Sequence, residues 1–359
     1  MTAVTDVPVG MVRMADTADT GGTVRTGRSS RRLIGLAILV ALVVAAALAS
    51  IAVGTRSIGL GEVWRSLFDG GLTTEEAVII RQLRVPRTAL GLMVGLALGV
   101  AGALMQGHTR NPLGDPGLLG VTAGASLAVV LAIAWFGIAT PSGYVWFAFG
   151  GALAGTAAVY AIGSAGRRGP TPVTLALAGA ALSALLYALV RAVLVSDQQT
   201  LDSFRFWVVG ALAGRGADVV VQVAPFIAAG LVLAVLNAPA LNMLGLGEDV
   251  ARGLGQRIWP ARVMGLGAIT LLCGAATAAC GPIAFVGLVV PHAVRAVTGP
   301  DHRWLIPCSG LLGAALLLGA DVLGRVVARP GELQVGIVLV LIGAPFFVAL
   351  VRRRRTAAL

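Results

Sequence analysis

No lysine occurs anywhere in the 359 residues, so the basic charge rests entirely on 27 arginines. A P-loop needs its lysine to reach the phosphates and a Schiff-base enzyme needs an amine, so neither chemistry belongs to this chain. Charge of either sign is scarce at 12% of residues, where a soluble domain carries about a quarter. Cysteine is confined to Cys273, Cys280 and Cys308, inside or beside apolar runs and without C-x-x-C spacing. They read as small packing residues rather than redox centres or metal ligands. The three histidines, His108, His292 and His302, are scattered, and neither H-E-x-x-H nor G-x-S-x-G is present. Gly124-Ala125-Ser126 is a near miss for a nucleophile turn, but it has no evident His or Asp partner, which leaves an intramembrane hydrolase as the weakest reading.

The chain is instead rich in apolar residues, 57% of the total with a mean hydropathy of +0.90, and in glycine, with 49 residues. That composition places it in a membrane, and the glycine suits helices that approach closely in lipid. Apolar runs of spanning or near-spanning length cover about 33–53, 86–107, 113–137, 143–163, 172–195, 218–237, 260–279, 281–298, 304–325 and 333–351. The expected fold is all-α, a polytopic membrane protein of about ten helices. Residues 1–32 are polar and irregular and read as a disordered tail, 33–352 as the transmembrane domain, and 353–359 as a C-terminal tail. The run at 33–53 is too long for a signal-peptide core and is expected to remain as the first span.

An even number of spans puts both termini on one side. The opposite side holds Arg56, Arg65, Arg81, Arg84, Arg87, Arg191, Arg205, Arg215, Arg325 and Arg329, and the remaining arginines lie with the termini. The larger share marks the cytoplasmic face, so both termini are expected in the cytoplasm. Clustering of arginine between apolar runs, not along one helix face, argues against nucleic acid as a partner. The five arginines of the first outer loop are an excess that topology does not require.

Carboxylates lie at span ends, at Asp115, Asp197, Asp202, Asp301 and Asp321. A carrier driven by protons or sodium needs ligands at depth, so ion coupling is disfavoured, and a lone secondary carrier stands as the alternative from another class. Gly91, Gly95 and Gly99 share one helix face and predict close packing, within this chain or against another subunit. The segment 239–258 reads as two short helices broken at glycines, with Val250, Leu254 and Ile258 forming an apolar stripe. It suits either a helix lying on lipid or a docking element for a cytoplasmic partner.

Several ordered motifs carry a resemblance. They are Arg84-Val85-Pro86-Arg87, Gly102-Ala103-Leu104-Met105-Gln106, Arg110-Asn111-Pro112-Leu113 and Asp115-Pro116-Gly117-Leu118-Leu119-Gly120 in the first half. In the second half they are Leu246-Gly247-Glu248 with Ala251-Arg252 and Leu254-Gly255, the run Gly281 to His292, Asp301-His302-Arg303, Asp321 with Arg325, and Gly343-Ala344-Pro345-Phe346-Phe347. Over residues 33–352 the chain resembles the permease subunits of ABC importers for iron-siderophores, haem and vitamin B12.

The resemblance implies a non-catalytic subunit that pairs with a second permease, identical or paralogous. Two cytoplasmic ATPases would hold ATP and magnesium, an extracytoplasmic binding protein would deliver cargo, and this chain would bind no cofactor. It assigns Leu246, Gly247, Glu248, Ala251, Arg252, Leu254 and Gly255 to ATPase coupling, and Asn111 and Leu113 to a cytoplasmic gate. Arg84, Arg87 and Arg325 are assigned to binding-protein docking, the alternatives being headgroup anchoring and a helix-end pair with Asp321. A second gate segment, Gly169-Pro170-Thr171-Pro172-Val173, departs from the small-polar pattern of the family. The implied cargo is a ferric siderophore, with vitamin B12 or haem as the alternative, carried across the cytoplasmic membrane.

Overall fold

The computed structural model describes residues 21–54, 59–69, 74–165 and 171–356, which form helices and connecting turns without a strand among them. In chain order the helices are α1 (Gly21–Ala52), α2 (Leu60–Phe68), α3 (Glu75–Val78), α4 (Val85–Thr109), α5 (Val121–Phe136), α6 (Pro141–Ser164), α7 (Pro172–Ser196) and α8 (Gln198–Val208). They continue as α9 (Ala217–Leu244), α10 (Glu248–Gly253), α11 (Ile258–Cys280), α12 (Val286–Thr298), α13 (His302–Val327) and α14 (Val335–Thr356). A π-helical stretch, Ile79–Arg84, joins α3 to α4, and a 3-10 turn, Pro116–Leu119, precedes α5. Among the described residues seven helical stretches are long and apolar enough to cross a membrane, one of them Glu75–Thr109 through the π segment, and α5, α12 and α14 supply shorter apolar helices. The ten apolar runs of the sequence thus correspond to α1, α4, α5, α6, α7, α9, α11, α12, α13 and α14.

The centre of the bundle is α4, which packs against α13, α11, α9 and α12, while α5 and α6 form a second pair joined to it through α11. Helix α4 is buried along most of its length because its glycines remove the side-chain barrier to close approach. A Cβ placed on Gly95 would lie 2.5 Å from the Ala314 Cα, and one on Gly99 would strike the Ser309 carbonyl oxygen. The glycine face is therefore matched within the chain by α13, which decides between the two packing partners the sequence left open. Gly99→Val should cost about 1–3 kcal/mol or more through overpacking. It is expected to abolish the monodisperse peak in detergent size exclusion, whereas Gly319→Ala, with nothing within 4 Å of the added carbon, should leave it intact.

Four expectations are corrected here. The segment 1–32 was expected to be an irregular tail, but α1 already begins at Gly21; once the apolar stretch has nucleated the helix, each added residue brings a hydrogen bond. Residues 1–20 lie outside the described residues, as do 357–359 of the C-terminal tail. The run 281–298 is not one helix. Residues 281–285 are extended or turned, Phe285 takes a positive φ of 69°, and α12 starts only at Val286. The first of the two short helices expected in 239–258 is the end of α9, which runs through Pro239 to Leu244. Last, α2 and α8 lie in connections read as loops. In α8 Phe204 and Trp207 are buried while Asp202 and Arg205 remain exposed, so the helix rests on the bundle by one face.

The three cysteines are free and buried, as expected of packing residues.

Candidate functional site

Two polar constellations sit at opposite ends of the bundle. At the end where both α1 and α14 have their outer termini, here the terminal end, the connection between α9 and α11 carries α10. Gly247 and Gly255 adopt φ values of 111° and 83° on either side of it. These are conformations that side-chain-bearing residues avoid, which explains both glycines of the motif. Leu246, Val250 and Leu254 are exposed, and Ala251 is fully buried. The stripe expected to include Ile258 is interrupted, because α10 stops at Gly253 and Ile258 is buried as the first residue of α11. What remains is a short helix presenting leucine and valine to its surroundings.

Glu248 ties this helix down. Its carboxylate hydrogen-bonds Arg262 on α11 and lies 3.6 Å from Arg252 on α10 and 3.8 Å from Arg110, the residue that closes α4. The expected brace between Glu248 and Arg252 is present, but Arg262 and Arg110 are partners the sequence reading missed. The i, i+4 spacing revealed the first pair, whereas the other two depend on how α4 and α11 meet the connection. Beside this node the Asn111 side chain accepts the Leu113 amide at 3.0 Å, a local turn directly after Arg110, which has φ 49°. Asn111 and Leu113 therefore lie one residue and three residues from a member of the coupling node. Of the second gate segment, Thr171 caps α7 by exchanging hydrogen bonds with Thr174, and Gly169 and Pro170 lie outside the described residues.

Asn242, near the end of α9, secures the start of α13. It donates to Asp301 at 2.8 Å and accepts from the His302 amide at 2.8 Å, while Asp301 itself accepts from the Arg303 amide at 3.0 Å. This gives the Asp301-His302-Arg303 motif a physical task, the joining of α9 to the N-terminus of α13. Partial burial pushes the Asp301 carboxyl up, but the Asn242 and Arg303 hydrogen bonds and the charges of Arg32 and Arg303 outweigh it and hold the group below its ordinary value. A depressed carboxyl stabilises the fold above the unfolded-state value, and the contribution fades as pH falls through the lowered one. The thermal-stability gap between wild type and Asp301→Asn in detergent should therefore be present at neutral pH and close below about pH 4.

Two further motifs meet in the interior. The Gln106 side chain donates to the carbonyls of Gly287 and Leu288 at 3.3 and 3.1 Å, holding the start of α12 against α4. A Cβ on Gly343 would lie 2.5 Å from Phe285, so the Gly343-Ala344-Pro345 stretch packs on the strained turn that opens α12.

At the opposite, distal end the structure collects Arg84, Arg87 and Arg325, and each also bonds within the chain. Arg84 donates to the carbonyls of Ile51 and Ala52 at 2.7 and 2.8 Å, and Arg325 to those of Ser50 and Val53 at 2.9 and 2.8 Å. Arg329 adds a bond to Gly54 at 2.8 Å. The carbonyls of Ser50, Ile51 and Ala52 are the last of α1, and those of Val53 and Gly54 follow it directly; the helix-end carbonyls lack partners within their own helix and carry its negative dipole end, so guanidinium groups cap them. Arg87 reaches both oxygens of Asp321 at 2.8 and 3.0 Å and Glu332 at 2.8 Å, and Arg325 pairs with Asp321 at 2.9 Å. Arg84 and Arg325 are 6% and 2% exposed. In the free chain Arg84 and Arg325 brace α1 internally, and Arg87 with Glu332 forms the edge of the cluster. Over this cluster opens a cleft of about 570 Å³, lined by Gln82, Arg84, Arg87, Arg215, Arg325 and Glu332 among others.

Residues 41–353 match the model of the FecCD transport family. The chain belongs to that family. Among FecCD-like relatives it is 46% identical, over 88% of its length and 94% of theirs, to the ferric enterobactin transport system permease protein FepD of Escherichia coli K12. It is 38% identical to the hemin transport system permease protein HmuU of Yersinia pestis, over 89% of this chain and 96% of that one. Among solved structures it resembles an inward-facing ABC transporter assigned to the metal-chelate type, with a TM-score of 0.77 at 28% identity over 89% of this chain and 99% of that one. This FecCD-family chain is accordingly an all-α integral membrane protein, a permease subunit of an ABC importer.

Proposed function

We propose that the chain moves a ferric siderophore across the cytoplasmic membrane, driven by ATP hydrolysis on a separate subunit. The observation that carries the cargo is the 46% identity, along nearly the whole chain, to a ferric enterobactin permease. The hemin permease relative supports haem as the second reading. The chain has no catalytic residue and no cofactor of its own in this reading, and ATP with magnesium resides on the partner.

Both termini face the cytoplasm, in line with the arginine distribution. The exposed Leu246, Val250 and Leu254 then lie on the cytoplasmic side, where they fit a groove of the ATPase. Closure of the two ATPases displaces α10, and through Glu248 the displacement reaches Arg110 on α4 and Arg262 on α11. Since α4 packs on α13, α9 and α12, a movement of its cytoplasmic end, beside Asn111 and Leu113, changes the bundle's opening on that side. A binding protein docks on the outer face beside Arg87 and Glu332, and a second permease completes the pathway.

Uptake of iron-55 supplied as ferric siderophores, haem or iron citrate, and of labelled cobalamin, in cells lacking only this chain tests the reading. Selective loss of a ferric siderophore, restored by the gene, is the expected result. Loss of haem or cobalamin alone replaces the cargo. Uptake that survives an inactive ATPase partner but stops when the proton gradient is collapsed overturns the importer in favour of a lone carrier. Orientation is read separately: an impermeant maleimide should label Ala139→Cys from outside in intact cells and Leu254→Cys only after lysis, against a background of buried native cysteines.

A further inference from the structure

Among the arginines lining the distal cleft, Arg215 differs from the others. Arg84 and Arg325 cap α1, and Arg87 is held by Asp321 and Glu332. Arg215 has no carboxylate within ion-pair reach among the described residues. Its side chain hydrogen-bonds the Tyr144 hydroxyl on α6, and its guanidinium carbon lies 5.5 Å from the centre of the Tyr144 ring. The residue is 8% exposed and its Nε has no hydrogen-bond partner. It also stands at the boundary of two openings, the 570 Å³ cleft and a neighbouring one of about 440 Å³ that Tyr144 lines as well.

Inside the chain this guanidinium has no counter-charge among the described residues and a side-chain donor without a protein partner, so a carboxylate or catecholate oxygen entering the cleft would be a stronger partner than the tyrosine. Within the chain the guanidinium is held by a tyrosine oxygen and ring face, both weaker partners than an anion. The group is therefore positioned to gain most when an anionic oxygen enters the cleft. The other guanidiniums around it keep the local potential positive, with Glu332 the sole carboxylate on the lining among the described residues, so an anion is drawn in.

We infer that Arg215 is a cargo-contact residue: it exchanges its bond to Tyr144 for an anionic oxygen of the ferric chelate, carboxylate or catecholate, as the chelate passes from the binding protein into the permease. The inference rests on the proposed function. The same chemistry has a second source, an acidic side chain of the docked binding protein, and the experiment separates the two.

The assembled transporter, with its ATPase and binding protein, is placed in vesicles and supplied with iron-55 as ferric enterobactin, a tris-catecholate anion, and as ferric citrate. Arg215→Gln is expected to lower the maximal uptake rate about tenfold or more, the scale of one charge-assisted hydrogen bond, while Arg215→Lys keeps most of it. Binding-protein association, measured without cargo, should stay within about twofold of wild type, and Tyr144→Phe should reduce uptake far less than Arg215→Gln.

Weaker association of the binding protein with normal uptake at saturation would overturn the inference and assign Arg215 to docking. Equal losses for Tyr144→Phe and Arg215→Gln would overturn it in favour of a structural pair, as would unchanged uptake for Arg215→Gln. Should wild-type transporter move neither chelate, the iron reading itself fails and the inference falls with it, an outcome distinct from wild-type uptake that Arg215→Gln leaves untouched.

Discussion

Asp321→Ala is expected to remove the folded protein from membranes. Asp321 is 1% exposed and serves two guanidiniums, Arg87 through both of its oxygens and Arg325 one helical turn away. Removing it leaves the buried Arg325 without a carboxylate and Arg87 with Glu332 alone, a loss of about 3–5 kcal/mol for the broken buried pair. Because Arg325 also caps α1, its displacement releases the carbonyls of Ser50 and Val53. Thermal unfolding in detergent and the amount of protein in the membrane should both fall sharply. Asp321→Asn, which keeps the shape and one acceptor, should fall less. Normal stability of Asp321→Ala would show that the cluster is solvated and carries no structural weight.

Glu248→Ala is expected to separate transport from folding. The carboxylate is a quarter exposed and Arg262 a fifth, so its effect on stability is modest, about 1 kcal/mol after allowance for solvent screening. Its effect on uptake should be about tenfold or more if it transmits movement from α10 to α4 and α11, since the bonds made through it are those that differ between two positions of α10. Partner ATP hydrolysis should continue without matching cargo movement. Arg262→Ala and Arg110→Ala should reproduce part of the loss, and Arg252→Ala the least, because its side chain is 59% exposed and remains on α10 itself. Uptake that falls only in proportion to the folded protein would leave the node a purely structural contact.

These two residues illustrate how much was legible beforehand. Glu248 stood out through its spacing to Arg252 and through its motif, both local features. Its partners Arg262 and Arg110 did not, since they come from helices whose approach depends on the packed bundle. Asp321 and Arg325 were recognisable as an i, i+4 pair, and Arg84 and Arg87 as an arginine excess. The family resemblance turned that excess toward a docking protein. Sequence reasoning had no means of knowing that the carbonyl end of α1 arrives at the same place, 275 residues from Arg325 along the chain. Asn242 gave no signal at all, being one amide in an apolar helix end, and only the arrival of Asp301 and His302 gave it a task.

The sequence by itself determined the membrane environment, the all-α class, the positions of the apolar spans and the exclusion of a lysine-dependent P-loop, because length, hydropathy and the lack of lysine act locally and need no partner. It also determined where turns must be made, as at Gly247 and Gly255. The tertiary structure alone decided which charges are internal: which carbonyls Arg84 and Arg325 cap, that Glu248 joins three elements, and that Arg215 is left with a tyrosine in place of an anion. Burial of a charge is tolerable only beside a compensating group, and compensating groups here come from remote parts of the chain. Their meeting is a property of the packed helices, and no pattern within one helix encodes it.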